Sequence, residues 1–366
     1  MRSAVAAGCL TLAGAMPLPF SSHAADAPAT GAGLPSAATG LQRDVVFTEY
    51  FALSSSLELA ARLLTPLVNA ATLRKAANSG MALQPQPIDL ALEKYVLYVP
   101  STAPPRGYSL LVFVPPWKSA VVPPGWAAVL DRHGMIFVSA ANSGNDVNVI
   151  SRRIPLALLA AHNVLSRYPV DRQHVYIGGF SGGSRVAQRM ALAYPDVFHG
   201  ALLNSGSDPI GEAQIAPPSA GLFGQFQSST RLVYSTGSDD HWNVERDEET
   251  RHSMREWCVF GFSVDTTPGV GHEPPAPQVL DRALSALARP VRPDPAKIAE
   301  CGARIADKLA AELGQVRALI DLGKHREADA LLNKIDARYG GLAPAESIEL
   351  AERIDAAGAT APGSAP

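Results

Sequence analysis

Cysteine is scarce, with three in 366 residues, and no two stand in a C-x-x-C pair. A disulfide scaffold and a structural zinc site of paired cysteines are both excluded. An excess of positive charge is also missing. Lys and Arg number 31 against 34 Asp and Glu, a formal net charge of −3. That leaves no electrostatic footprint for nucleic acid or an anionic membrane surface. Beyond the first two dozen residues no apolar run reaches the roughly 18 residues of a spanning helix. Glycine and proline, 30 each, follow no collagen-like period. Apolar material is abundant: 47% of the residues are hydrophobic and 18% charged, enough for a core and too apolar for a disordered chain. The length predicts one large domain with an appendage.

The first residues read as an address. Met1-Arg2 is a short positive start, residues 4–20 are apolar, and Ser22-His23-Ala24 is a small-x-small cleavage site. Residues 1–24 are therefore expected to be a secretory signal peptide. Gly8, Gly14, Pro17 and Pro19 argue against a buried helix. Cys9 after Ala6-Ala7-Gly8 hints at a lipoprotein site, but too little apolar sequence precedes it. Removing Arg2 with the leader makes the net charge one unit more negative. The product is expected to be exported, periplasmic or extracellular, with no membrane span. Export places Cys258 and Cys301 in an oxidising compartment. A bridge tying the C-terminal helices to the main domain is favoured. Two separately buried thiols are the alternative, because only geometry decides.

Residues 25–40, rich in Ala, Gly, Pro, Ser and Thr, read as a disordered spacer. Residues 41–91 read as a helical segment leading into the core, with Leu57, Leu59, Ala60, Leu63, Leu64 and Leu67 at helical spacing and Pro66 as a kink. Residues 92–99 have strand character. From there short apolar runs alternate with helical stretches: strands near 110–114, 135–139, 175–178, 201–203, 232–235 and 262–266, helices near 126–132, 154–167, 182–194, 246–260 and 277–288. Continuous apolar strands separated by helices predict a doubly wound, mostly parallel sheet covered on both faces over residues 92–288. Residues 289–295, with three prolines, read as a linker. Residues 296–355 read as helices resembling a tetratricopeptide pair, which cannot bury its own face and so should dock on the main domain or on a protein partner. Residues 356–366 read as a loose tail.

The strongest motif is Gly179-Phe180-Ser181-Gly182-Gly183, between a predicted strand and a predicted helix. G-x-S-x-G in this setting is a nucleophile elbow: the glycines let the backbone turn tightly and lift the Ser181 hydroxyl above the sheet edge. A serine needs a base. Of nine histidines, His272 alone lies on a Gly/Pro-shaped loop after a late strand. The others fall in helices, near strand starts or, for His23, in the leader. His241 adjoins the candidate acids, and such adjacency points side chains apart. The acid should follow the preceding strand, where Gly237-Ser238-Asp239-Asp240 offers two aspartates. Asp240 is favoured over Asp239 to orient the imidazole.

Together with Ala193-Tyr194-Pro195-Asp196-Val197-Phe198, these motifs resemble the α/β-hydrolase superfamily, and within it secreted bacterial esterases of the polyhydroxybutyrate-depolymerase and feruloyl-esterase type. The resemblance spans roughly residues 92–288. It implies an α/β-hydrolase fold, Ser181 as nucleophile, Asp240 as acid, His272 as base, a small-molecule or polymeric ester as substrate, and neither a metal nor an organic cofactor. One feature departs from it. Such relatives carry His-Gly where this chain has Pro115-Pro116, and prolines have no N–H to donate. Gly182 N–H supplies one oxyanion donor, and the second must come from Trp117 or Lys118. Trp117, Trp126 and Trp242 are candidates for an aromatic wall, or are ordinary packing residues. Two rivals remain: a serine peptidase, for which the segment before residue 92 leaves little room, and a non-catalytic scaffold with a decayed hydrolase core, which Pro115-Pro116 favours and the intact Ser181, Asp240 and His272 oppose.

Overall fold

The computed structural model describes residues 38–80, 84–211 and 215–359. The expected leader with Cys9, most of the spacer and the end of the tail lie outside them. Eight strands form one sheet: β1 (Gly40–Val45), β2 (Tyr95–Val99), β3 (Tyr108–Val114), β4 (Met135–Ala140), β5 (Val170–Phe180), β6 (Gly200–Asn204), β7 (Arg231–Gly237) and β8 (Phe262–Thr267). Their order is β1-β2-β4-β3-β5-β6-β7-β8. The pairs β1–β2 and β2–β4 are antiparallel, and every other pair is parallel. This is the α/β-hydrolase arrangement that the motifs predict.

The strands read as continuous apolar runs because both faces are covered. Leu111 and Phe113 of β3 pack with Trp126, Val129 and Leu130 of α3 (Trp126–Arg132) and with Leu280, Ala283 and Leu284 of α8 (Pro277–Leu287). The alternate β3 residues Leu110, Val112 and Val114 are buried on the other face. There α4 (Ile154–Arg167) and α5 (Gly182–Ala193) pack on β3 and β5. Two further helices lie between the late strands: α6 (Ala220–Ser229), which the sequence did not announce, and α7 (His241–Glu256). α7 starts five residues before the predicted helix and ends at Glu256, because Cys258 takes a left-handed φ of 64°.

Three expectations need correction. The sheet does not begin at residue 92: β1 lies across the boundary between the predicted spacer and helical segment, with Gly40 opposite Val99 and Leu41 opposite Tyr98. Pro66 does not kink one helix but starts a second. α1 (Ser56–Leu63) is capped by Ser55, whose hydroxyl accepts from Glu58 N at 3.3 Å. Leu64 is extended, and Pro66 occupies the first position of α2 (Pro66–Asn78), where its missing N–H costs nothing. The three expected helices past the proline-rich stretch, α9 (Pro295–Asp321), α10 (His325–Tyr339) and α11 (Pro344–Ala359), overrun their predicted bounds: α9 starts inside the predicted linker and α11 runs into the predicted tail.

These helices pack on one another and on α2. They also dock on the α/β unit. Cys258 and Cys301 are bridged, with Cα atoms 5.7 Å apart. The Trp257 and Tyr339 rings meet at 5.7 Å, and Gly341 N donates to Pro217 O at 2.9 Å. Leu309, Leu313, Val316, Ala328, Leu332 and Ile335 are thereby buried. No helix among the described residues is long and apolar enough to cross a membrane.

Candidate active site

β5 ends at Phe180 and α5 begins at Gly182, so Ser181 is the whole connection. Its φ of 56° and ψ of −124° lie outside the allowed regions for an L-residue, a strain of about 1–3 kcal/mol. The turn is held from both sides: Ser181 N donates to Asn204 O at 2.9 Å, and Ser184 N donates to Ser181 O at 3.0 Å. Gly183 is required because a Cβ there would collide with the Val114 carbonyl at the end of β3. The first turn of α5 thus sits against the start of the loop after β3, and its unpaired N–H groups face the side where negative charge would develop.

His272 lies on the loop between β8 and α8. Its Nε2 is 2.9 Å from Ser181 Oγ, and its Nδ1 is 2.6 Å from Asp240 Oδ2. Asp240 is 9% exposed. Burial opposes its ionisation, but hydrogen bonds from His272 and Asn243 together outweigh burial and hold its carboxyl below the ordinary carboxylate range. An ionised Asp240 accepts the Nδ1 proton, which leaves Nε2 free to accept from the Ser181 hydroxyl. Asp239, the alternative acid, is exposed and accepts from the Ser238 hydroxyl at 2.9 Å. His241 is exposed at the start of α7.

Asn243 escaped the sequence reading. It lies three residues after Asp240, in the first turn of α7, and is 4% exposed. Its Nδ2 donates to Asp240 Oδ1 at 2.9 Å and Oδ2 at 2.8 Å, and its Oδ1 accepts from Arg185 Nη2 at 3.2 Å. The (i, i+3) spacing from a candidate acid was the only trace in the sequence.

The three candidate wall tryptophans separate. Trp126 is 1% exposed and belongs to the core, so it walls nothing. Trp117 is half-buried, and its ring lies 6.2 Å from that of Phe180, which in turn lies 4.8 Å from His272. Trp242 is 63% exposed beside Asn243, with the Arg185 guanidinium 4.9 Å over its ring. In the loop after β3, Pro116 O accepts from Asn145 N at 3.0 Å and Lys118 O from Asn142 N at 2.7 Å. A trans peptide sets N–H opposite to C=O, so the Trp117 N–H points away from Asn145. Neither the Trp117 nor the Lys118 amide donates to any described residue. The Lys118 side chain is exposed and pairs with Asp146 at 3.1 Å.

No protein-family model and no curated protein matches the chain significantly. Solved structures do share parts of the architecture. A ferulic acid esterase is 18% identical, with a TM-score of 0.39 over 53% of this chain and 92% of the other. An acetyl xylan esterase from Aspergillus awamori is 14% identical, with a TM-score of 0.42 over 53% and 94%. An S-formylglutathione hydrolase from Staphylococcus aureus is 12% identical, with a TM-score of 0.42 over 54% and 93%.

Proposed function

We propose that this chain is an exported serine esterase that cleaves a carboxylic ester through an acyl-enzyme intermediate. The observation that carries the reading is the continuous relay Ser181 Oγ···His272 Nε2 at 2.9 Å and His272 Nδ1···Asp240 at 2.6 Å. Ser181 attacks the ester carbonyl while His272 takes its proton. The tetrahedral intermediate collapses, and His272 returns that proton to the departing alcohol. Water, deprotonated by the same imidazole, then releases the acid. Asp240 holds the ring in the required tautomer and stabilises its cation. Gly182 N–H, together with the amide of Trp117 or Lys118, receives the oxyanion.

A decayed core would have no need to keep the Ser181 strain, the buried Asp240 and the relay aligned, which weighs against the scaffold reading. Export is supported by the sequence of residues 1–24 and by the buried Cys258–Cys301 bridge, a feature of oxidising compartments. A fluorophosphonate probe tests the function. The wild-type chain is expected to be labelled at Ser181 and to hydrolyse an aryl acetate, and Ser181→Ala to do neither. An unlabelled, folded wild-type protein would refute the reading.

A further inference from the structure

The loop after β3 is short of main-chain donors, because Pro115 and Pro116 have none. It must be fixed through its carbonyls. Two of these are held by the backbone amides of Asn145 and Asn142. The third, Pro115 O, is held by a side chain 38 residues away, Arg153. Arg153 ends a single π-turn, Val149–Arg153, that leads into α4 and is capped by Asn148, whose Oδ1 accepts from Ile150 N and Ser151 N at 2.9 Å each. The turn presents two consecutive arginines to the segment after β4. Arg152 is paired with Glu93 at 2.9 and 2.8 Å and also donates to Asn142 O.

Arg153 has no such partner. It is 3% exposed and forms no ion pair among the described residues. Its guanidinium donates only to carbonyls: Nε to Ser143 O at 2.9 Å, Nη2 to Pro115 O at 2.8 Å, and Nη1 to Gly182 O at 3.4 Å. Burial pushes its pKa down to about 10, with the Asp146 charge opposing, so the group stays a cation at neutral pH. A buried, unpaired cation costs several kcal/mol unless its surroundings use it. Here it joins the two backbone stretches that flank the nucleophile, the loop after β3 and the residue after Ser181.

We propose that Arg153 is a positioning residue. Its planar fork clamps the Pro115 and Gly182 carbonyls, and so fixes the spacing of the two backbone N–H groups that receive the oxyanion. It replaces the fastening that a Pro-Pro loop cannot make for itself. The proposal rests on the esterase reading for its catalytic consequence but not for the clamp. Arg153→Lys keeps the charge and loses the fork, while Arg153→Gln keeps a donor and loses the charge. In both, amide hydrogen exchange is expected to speed up at Asn142 and Asn145, whose N–H groups are held by the loop carbonyls of Lys118 and Pro116, while the rest of the chain keeps its protection. kcat on an aryl acetate should fall about 10²-fold with KM within about threefold, since the lost interaction acts only in the transition state.

Unchanged exchange at Asn142 and Asn145, or an undiminished kcat in a folded variant, would overturn the proposal. Should neither variant fold, the wild-type order parameter of the Trp117 amide decides. A value of about 0.85 supports the clamp and one below about 0.6 overturns it. A wild-type chain without hydrolysis or fluorophosphonate labelling refutes the esterase reading, and the exchange arm still decides whether Arg153 clamps the loop.

Discussion

Replacing Asp240 by asparagine is the sharpest test of the relay. The carboxylate has two partners, His272 Nδ1 at 2.6 Å and the Asn243 amide nitrogen at 2.8 and 2.9 Å. An asparagine must turn one donor face into this space. Facing Asn243, it would set N–H against N–H. Asn243 could relieve that only by flipping, which would break its bond from Arg185 at 3.2 Å. The lower-energy choice points the new amide at His272 Nδ1. That nitrogen then becomes an acceptor, the proton moves to Nε2, and Nε2 no longer takes the Ser181 proton. The expected loss in kcat is about 10⁴, or about 5.4 kcal/mol of transition-state stabilisation. KM should barely move, because Asp240 does not touch substrate. Asp239→Asn alters an exposed side chain bonded only to Ser238, and its effect should stay within about twofold. Steady-state kinetics on an aryl acetate, with melting temperatures to confirm folding, measure both. The reverse ranking, or an Asp240→Asn variant within tenfold of wild type, refutes the tautomer argument.

Two further predictions concern stability. The Cys258–Cys301 bridge closes a loop of 43 residues, so the double alanine variant should lose about 4 kcal/mol in denaturant unfolding. A loss below about 1 kcal/mol would mean that the C-terminal helices hold without it. Asp247 is 2% exposed, and burial lifts its carboxyl above the ordinary range against the pull of hydrogen bonds from Ser207 and Thr236. A raised acid favours the fold while protonated, and that contribution fades as pH climbs from about 4 through the raised pKa. Asp247→Asn should therefore gain stability relative to wild type across that rise. A pH-independent difference between the two unfolding free energies would refute this.

The local part of this design is legible in the sequence. The elbow glycines, the order of strands from residue 108 on with every intervening helix except α6, and the placement of Ser181, Asp240 and His272 on loops at one sheet edge all follow from short-range patterns. What was illegible depends on partners far along the chain. β1 is polar, falls almost wholly in the segment read as helical, and becomes a strand only against β2. α2 looks like the continuation of a kinked helix until its contacts with α10 and α11 give it a reason to start afresh. Arg153 sits in an ordinary Ser-Arg-Arg run, and nothing within ten residues announces that its guanidinium reaches Pro115.

Trp126 shows how such distant contacts serve the site. Of its two readings, substrate wall or packing residue, the structure bears out the second: its ring packs between Phe113 and Phe137 in the core. From there its indole N–H donates to Pro275 O at 3.0 Å, three residues past His272. The other end of the same loop is fastened to the acid loop: Gly269 N donates to Ser238 Oγ at 2.8 Å, and Asp239 N donates to Val270 O at 2.9 Å. A base on a loop with one free end would sample many positions and lose its distance to the nucleophile. Fixed behind by a core tryptophan and in front by the strand that carries Asp240, His272 has little freedom except rotation of its ring. The bond to Asp240 and the Phe180 ring at 4.8 Å restrict that rotation in turn. The buried packing that stabilises the sheet is therefore also what keeps an exposed imidazole within hydrogen-bond distance of Ser181.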